Sequence, residues 1–250
     1  MSPSVWSPSR ILFEDTWLIV VDKPAGMPTQ PTVDASRPSV ESELKRYLTS
    51  RDGAPPYLAL HHRLDRDTSG VVMLCKDPKA NAGIGALFAE KTAQKIYQAL
   101  AITDQTLEDS WEVKDYLGIV GKVGKATKYG AVRSGGDPAH TSLRVLERFE
   151  GAALIEAQPH TGRTHQIRVH LAGCRNPILG DGFYGGPLAL KLASGARLVI
   201  PRVLLHASSL SFHHPMTGEH LQVRSPLPAD FAPCVERLRK SCAQGRKPNA

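Results

Sequence analysis

The sequence predicts a mixed α+β fold, and three observations carry that reading. Apolar runs of strand length recur along the chain, as at 17–21 and 71–74. Helical spacings interrupt them without a regular strand–helix alternation, and several strands come in hairpin-like pairs. That pattern points away from a doubly wound parallel sheet. With 41% hydrophobic and 22% charged residues among 250, the chain has enough apolar surface to bury a core.

Residues 1–10, rich in Ser and Pro, read as a loose arm. Segments 11–13 and 17–22 read as a strand pair ended by Lys23-Pro24-Ala25-Gly26, where Pro lacks a donor and Gly permits a tight turn. Several prolines make 27–38 a loop. Val40, Leu44, Tyr47 and Leu48 recur at helical spacing behind Ser39, a natural N-cap. Segment 71–74 reads as a buried strand. Asp77-Pro78 reads as an N-cap with Pro at the first helical position, and Ile84, Leu87 and Phe88 give the helix that follows its apolar face. Segment 95–101 alternates as a strand does, placing Tyr97 opposite in sense to Ile96 and Gln98. Residues 118–138, rich in Gly and Lys without a clear period, read as a mobile basic excursion, either a solvated loop or a grip on phosphate. Strands are expected at 143–149 and 153–157. A helix is expected at 164–172, closed by Gly173 at C′. Further strands are expected at 203–207, 210–213 and 220–224, and a basic helix and tail from Pro228. The domain reading is therefore an arm at 1–10, one catalytic domain at 11–227 and a basic C-terminal helix and tail at 228–250.

The net charge of +7 makes a polyanion a natural partner. No segment approaches the roughly 18 apolar residues of a membrane helix. The first ten residues lack the basic start and apolar core of a secretory signal. The four cysteines, Cys75, Cys174, Cys234 and Cys242, form no Cys-x-x-Cys pair and read as reduced thiols of a cytoplasmic protein.

The segment richest in chemistry is His62-Arg63-Leu64-Asp65-Arg66-Asp67-Thr68-Ser69-Gly70. It compresses two carboxylates, two guanidinium groups and two hydroxyls in front of a buried strand. A carboxylate among guanidinium groups is held ionised, and an ionised carboxylate acts as nucleophile or base. Alone, the segment also reads as a polar turn whose charges satisfy one another. A second polar cluster occupies 156–171, at a strand-to-helix junction where a helix N-terminus receives anions. A third element, Lys95-Ile96-Tyr97, sets a phenol on a strand.

Other chemistries find less support. His160, His165 and His170 are five apart, a spacing that rotates about 140° per step on a helix, so they share no face for a metal. No His-Glu-x-x-His, Walker or nucleophile-elbow pattern is present. Gly180-Asp181-Gly182 and Tyr184-Gly185-Gly186 make no nucleotide fingerprint, and His213-His214 reads as structural.

Taken together, these segments resemble the RluA-type pseudouridine synthases. The resemblance rests on Lys23-Pro24-Ala25-Gly26, the nine residues from His62 to Gly70, Lys95-Ile96-Tyr97 and the run 156–171. It continues through Asn176-Pro177-Ile178-Leu179-Gly180-Asp181 with Tyr184-Gly185, Leu205-His206-Ala207 and His214-Pro215-Met216-Thr217-Gly218. It spans about 10–226 in the family's order. It implies a pseudouridine synthase-like fold, with a central mixed, mostly antiparallel sheet flanked by helices and a basic catalytic cleft between two halves. Some relatives carry an S4 RNA-binding module ahead of this domain. With only a short arm before Ile11, none is expected here.

The resemblance also implies roles. Asp65 is the catalytic carboxylate, Arg163 its ion-pair partner, and Tyr97 the platform that stacks on the target base and helps move a proton. Arg63 enters the RNA stack where the uridine leaves, and Ile167 adds an apolar wall. His62, Thr68, His165 and Arg168 complete the expected RNA contacts. The activity implied is isomerisation of uridine to pseudouridine in ribosomal or transfer RNA by a cytoplasmic monomer, with no cofactor and no metal. The alternative is an RNA-binding protein or chaperone that keeps the fold without turnover. The sequence leaves open whether Asp65 attacks the sugar, attacks the base or deprotonates C2′.

Overall fold

The computed structural model describes residues 6–245 apart from 35, 104–106 and 193. The first half begins with β1 (Ile11–Glu14), β2 (Leu18–Lys23), α1 (Val40–Asp52), β3 (Ala59–Leu60), β4 (Ser69–Cys75) and α2 (Asn81–Ala89). There follow β5 (Gln94–Ile102), β6 (Ser110–Val123), β7 (Ala126–Ala131), β8 (Asp137–Phe149) and β9 (Ala152–Pro159). The chain then forms α3 (Gln166–Gly173), β10 (Ala189–Lys191), β11 (Arg197–Val199), β12 (Leu205–His213), β13 (His220–Arg224) and α4 (Ala232–Gly245). This is the α+β class expected. Among the described residues, no helix is long and apolar enough to cross a membrane. The chain forms two compact units: Met1–Lys95 with Ala207–Pro226, and Ile96–His206 with Leu227–Ala250.

In the first unit, the strands lie in the order β1-β2-β4-β12, with β3 beside β4 and β13 beside β12. The β1–β2, β2–β4, β3–β4 and β12–β13 ladders are antiparallel. All seven residues of β4 are buried, so both faces of the strand are covered, which explains its unbroken apolar run. Leu18, Val20, Val71, Met73, Leu210 and Phe212 pack with Ile84 and Leu87 of α2 into one core. Ser39 caps α1 as expected. Its hydroxyl accepts from Ser42 N at 3.1 Å, while Ser42 Oγ accepts from Ser39 N at 2.9 Å. Gly53 closes the helix at φ 79°. Asp77 caps a short 3-10 turn at Pro78–Ala80 that leads into α2.

The second unit is built on an antiparallel run ordered β5-β9-β8-β6-β7. Val169 of α3 packs on Leu117 and Ala139 of this sheet. Phe231, just before α4, is buried with Val235 and Leu238, and Arg239 on the same helix pairs with Glu147 of β8 at 2.7 Å.

Four expectations are corrected. Residues 118–138 are not an irregular excursion: they contain the β6–β7 hairpin and the start of β8. A bulge between Ile119 and Gly121 breaks the alternation there, which hid the strands. The segments 203–207 and 210–213 contribute to a single strand, β12. Its middle is polar, yet Ser208 O still accepts a backbone bond from Ser225 N at 2.9 Å. Gly173 ends α3 from inside the helix, and the left-handed conformation falls on Arg175 at φ 62°. In the expected loose arm, Trp6 is only 4% exposed and Pro8–Arg10 form a 3-10 turn. Residues 1–5 of that arm and 246–250 of the expected tail lie outside the described residues.

Gly70, the second residue of β4, has φ 114°, and a Cβ there would stand 2.1 Å from the carbonyl oxygen of Ala207 on the neighbouring strand. Both the dihedral and the space demand glycine. Gly70→Ala is expected to destabilise the protein by at least about 1–3 kcal/mol from the backbone conformation alone, before the clash is counted. Urea unfolding measures this, and an unchanged midpoint would contradict the close approach.

Candidate functional site

The nine-residue segment around Asp65 lies in the first unit, and its backbone is pinned on both sides of that aspartate. Upstream, the Thr29 hydroxyl accepts from Leu64 N at 3.1 Å and donates to Leu64 O at 2.8 Å. Downstream, Arg66 O accepts from Gly26 N at 2.8 Å and from the Lys23 ammonium at 2.8 Å. Between them, Thr68 N donates to Asp65 O at 3.2 Å and closes the turn. Leu64 points into the protein at 6% exposure, while Asp65 is half-buried and Arg63 exposed. Such a turn presents the carboxylate and the cation while burying the leucine between them. Thr68 is buried. Arg66 pairs with its neighbour Asp67 at 2.9 Å.

Lys23, fully buried at the end of β2, was visible in the sequence only as part of a turn. Its ammonium donates to Pro24 O at 3.0 Å, Met27 O at 2.7 Å and Arg66 O at 2.8 Å. A buried cation is tolerated when carbonyl oxygens replace its water. The sequence signal was a lysine closing an otherwise apolar strand just before Pro.

His62 serves the frame of this loop. Its Nε2 accepts from Met73 N at 2.9 Å, and its ring stacks on Phe88 with centroids 4.2 Å apart. Burial, with the Lys95 and His61 charges adding to it, pushes the imidazole down to about 3. The acceptor role at Nε2 requires the neutral ring with its proton on Nδ1.

The run 156–171 and Tyr97 lie in the second unit. Tyr97 sits on β5 opposite Ala157 and is 8% exposed. Gln166 opens α3 and organises the turn before it. Its Oε1 accepts from Arg163 N at 3.0 Å and from Thr161 Oγ1 at 2.7 Å, and its Nε2 donates to His140 O and Thr141 Oγ1, each at 2.9 Å. His165 takes a left-handed conformation at φ 59° and shares a hydrogen bond with Tyr184 Oη at 2.8 Å. Ile167 is buried.

The two arginines of the run have different surroundings. Arg163 is partly exposed. Its Nε donates to Pro138 O at 3.0 Å and its Nη1 lies 3.6 Å from Asp137. The buried guanidinium is that of Arg168, 6% exposed, with bidentate bonds of 2.7 and 2.8 Å to the fully buried carboxylate of Asp181. Its charge also lies 5.0 Å from the Tyr184 ring centroid. A fork-on-carboxylate pair with its charge desolvated fixes a guanidinium far more firmly than a partly exposed contact does. Asp181 and Tyr184 were read in the sequence only as parts of glycine-flanked motifs.

Comparison with known proteins adds independent findings. The family model described as RNA pseudouridylate synthase matches residues 17–173. A ribosomal large subunit pseudouridine synthase D of Xanthomonas campestris is 33% identical over 247 residues, covering 95% of this chain and 71% of that protein. A ribosomal large subunit pseudouridine synthase C of Pasteurella multocida is 36% identical over 231 residues, covering 92% and 68%. Among solved structures, human RNA pseudouridylate synthase domain containing 4 superposes with a TM-score of 0.74 at 27% identity, covering 92% of this chain and 93% of that one.

Two outcomes are expected from the loop's supports. Lys23→Met leaves three carbonyls without their cation and should lower unfolding free energy by about 3 kcal/mol or more; a denaturation midpoint equal to wild type would remove Lys23 from the frame. For His62, the folded ring refuses a proton that the unfolded chain accepts near its usual 6.5. Stability is therefore full above that value and declines as pH falls from it toward 3. His62→Gln should flatten this decline in urea melts between neutral and mildly acidic pH; an identical pH slope in the variant would contradict the neutral buried ring.

Proposed function

Since this chain belongs to the RNA pseudouridine synthase family, of RluA type, we propose that Asp65 is the carboxylate that drives its reaction. The chain is an isomerase acting on RNA. The reaction breaks the N1–C1′ bond of uridine and joins C1′ to C5 of the same base. The proton leaving C5 is balanced by one gained at N1, so no oxidant, reductant or energy source enters. Asp65 acts on the nucleoside from a turn whose backbone is clamped at Leu64 and Arg66. That double clamp is the observation that best supports the assignment, because a carboxylate acting on one bond must be held within a fraction of an ångström.

The remaining roles follow from chemistry. Reaching a stacked base costs a few kcal/mol for extrusion. Tyr97 offers the ring that the extruded uracil stacks on, and Arg63 the exposed cation that takes its place in the RNA. Ile167 lines the base pocket. His62 and Thr68 hold the loop that carries Asp65, and His165 fixes the entry to α3. For the fixed positive charge of the site we assign Arg168, on the strength of its bond to Asp181, with Arg163 as a more exposed cation toward RNA phosphate. The names of the relatives support ribosomal RNA as the substrate class. We assign the reaction to a cytoplasmic monomer that needs no metal.

The test is tritium release from a large-subunit ribosomal RNA transcript labelled at uridine C5. Wild type should release tritium. Asp65→Ala should lose at least about 10²–10⁴-fold in rate, the scale of a lost general base, while binding the transcript with unchanged affinity. Near-normal release by Asp65→Ala would refute the assignment, and binding without release by wild type would favour the RNA-binding alternative.

A further inference from the structure

The segment that carries Asp65 shares a groove with the turn after β2. The groove has a volume of about 640 Å³, ample for one nucleotide. Its wall is apolar, built from Pro24, Met27, Pro28 and Pro38. Bonds to the main chain hold that wall in place. The Lys23 ammonium ties Pro24 O and Met27 O on one side to Arg66 O on the other, and Gly26 N also reaches Arg66 O. α1 adds a further tie, since Val40 N donates to Pro28 O at 2.9 Å. The space above the turn is clear, because a Cβ on Gly26 would meet nothing within 4 Å. The groove is therefore formed before any ligand arrives.

The rim carries the charges. Arg66 is exposed, and its guanidinium forks the Asp67 carboxylate at 2.9 and 3.1 Å, which orients both groups. Arg37 is exposed at the other end. Asp34 is near enough to feel the Arg37 charge, but its carboxylate is already bonded by Ser36 N at 3.1 Å and Ser36 Oγ at 2.6 Å. A ring with flat faces suits the proline wall and the guanidinium plane of Arg66. A phosphate suits Arg37. A carboxylate oxygen accepts more than one bond, so Asp67 suits a donor on the edge of that ring.

Resting on the RNA reading above, we propose that this groove seats one unpaired nucleotide beside the target uridine, and that Asp67 reads the edge of its base. Arg66 and Asp67 are the first and second residues after Asp65, so the seated nucleotide is a near neighbour of the one on which Asp65 acts. A carboxylate accepts from an exocyclic amine such as that of cytosine. It is repelled by uracil, whose single edge donor lies between two carbonyl oxygens. An acidic peptide suits the groove less well: it brings no flat ring to the prolines, and its own carboxylates meet Asp67.

The experiment uses the full chain and two probes, cytidine 3′,5′-bisphosphate and uridine 3′,5′-bisphosphate, titrated by ligand-observed NMR. Ala25→Phe fills the groove, Arg37→Glu reverses the charge at its end, and Asp67→Asn changes the edge reader. Circular dichroism and thermal melts confirm folding of all three. Wild type should prefer the cytidine probe by about tenfold, the scale of one base-edge contact. Ala25→Phe and Arg37→Glu should each bind it about tenfold more weakly. Asp67→Asn, which offers a donor as well as an acceptor, should bind both probes alike. In a large-subunit ribosomal RNA fragment that wild type converts, the residues flanking the uridine are then made abasic one at a time. One position should raise KM more than kcat falls. Ala25→Phe should show that rise with intact RNA and gain no more from the abasic residue, since both remove the same contact.

No binding of the cytidine probe by wild type, or equal affinity in wild type, Ala25→Phe and Arg37→Glu, would overturn the proposal. So would tetraglutamate displacing the cytidine probe at lower concentration than unlabelled RNA does. If wild type converts no uridine yet the probe pattern holds, the catalytic reading fails and the groove stands. If wild type forms pseudouridine and the probe pattern is absent, the groove fails alone.

Discussion

A fully buried ammonium ion is the constraint around which the first unit is arranged. Lys23 closes β2, and with no water around its side chain it must be solvated by protein. The carbonyls that do so belong to Pro24, Met27 and Arg66, so one side chain ties the turn after β2 to the segment bearing Asp65. The Thr29 hydroxyl does the same for Leu64 from the other side. Loops with few backbone partners are mobile by default. Here the loop carrying Asp65 is held as a strand would be, by bonds to its own main chain. The close approach at Gly70 fixes where the segment enters β4.

The second unit solves a related problem in a different way. α3 is buried from Gln166 to Leu171, so its arginine has no route to solvent. Asp181 accepts two of the Arg168 N–H groups and Tyr184 adds its ring face, which offsets the cost of burying the guanidinium. The same tyrosine hydroxyl meets His165 Nδ1 and Tyr129 N. Asp181 and Tyr184 thus organise a cationic centre, the start of α3 and the edge of β7 together. An enzyme that must orient a polyanionic substrate around one base gains from charges fixed before binding, since little reorganisation remains when the reaction occurs.

Much of this was legible in the sequence where local rules govern. The Ser39 cap, the helix following it, the buried β4 and the Asp77-Pro78 turn follow from short-range spacing and side-chain chemistry, and the structure contains each. The family was legible because several weak motifs fall in one order around a strong one. What stayed hidden depends on distance along the chain. Lys23 and Arg66 are 43 residues apart, and Arg168 and Asp181 are 13 apart, so neither partnership leaves a local trace. Nothing local shows that Arg168 is buried either. Helix α3 is covered from Gln166 to Leu171, which a polar-looking run of His, Gln and Arg conceals. The β6–β7 ribbon escaped notice because the Gly121 bulge shifts its register and both faces carry exposed residues, leaving no alternation to read.

Conversion of uridine to pseudouridine through Asp65 can be read in cells by base-resolution mapping of pseudouridine in total RNA, comparing cells that lack the gene with cells carrying it as wild type or as Asp65→Asn. At least one site in large-subunit ribosomal RNA is expected to be present with the wild-type gene and missing in both other strains. A map that is identical in all three, or a site restored in full by the asparagine variant, would contradict it.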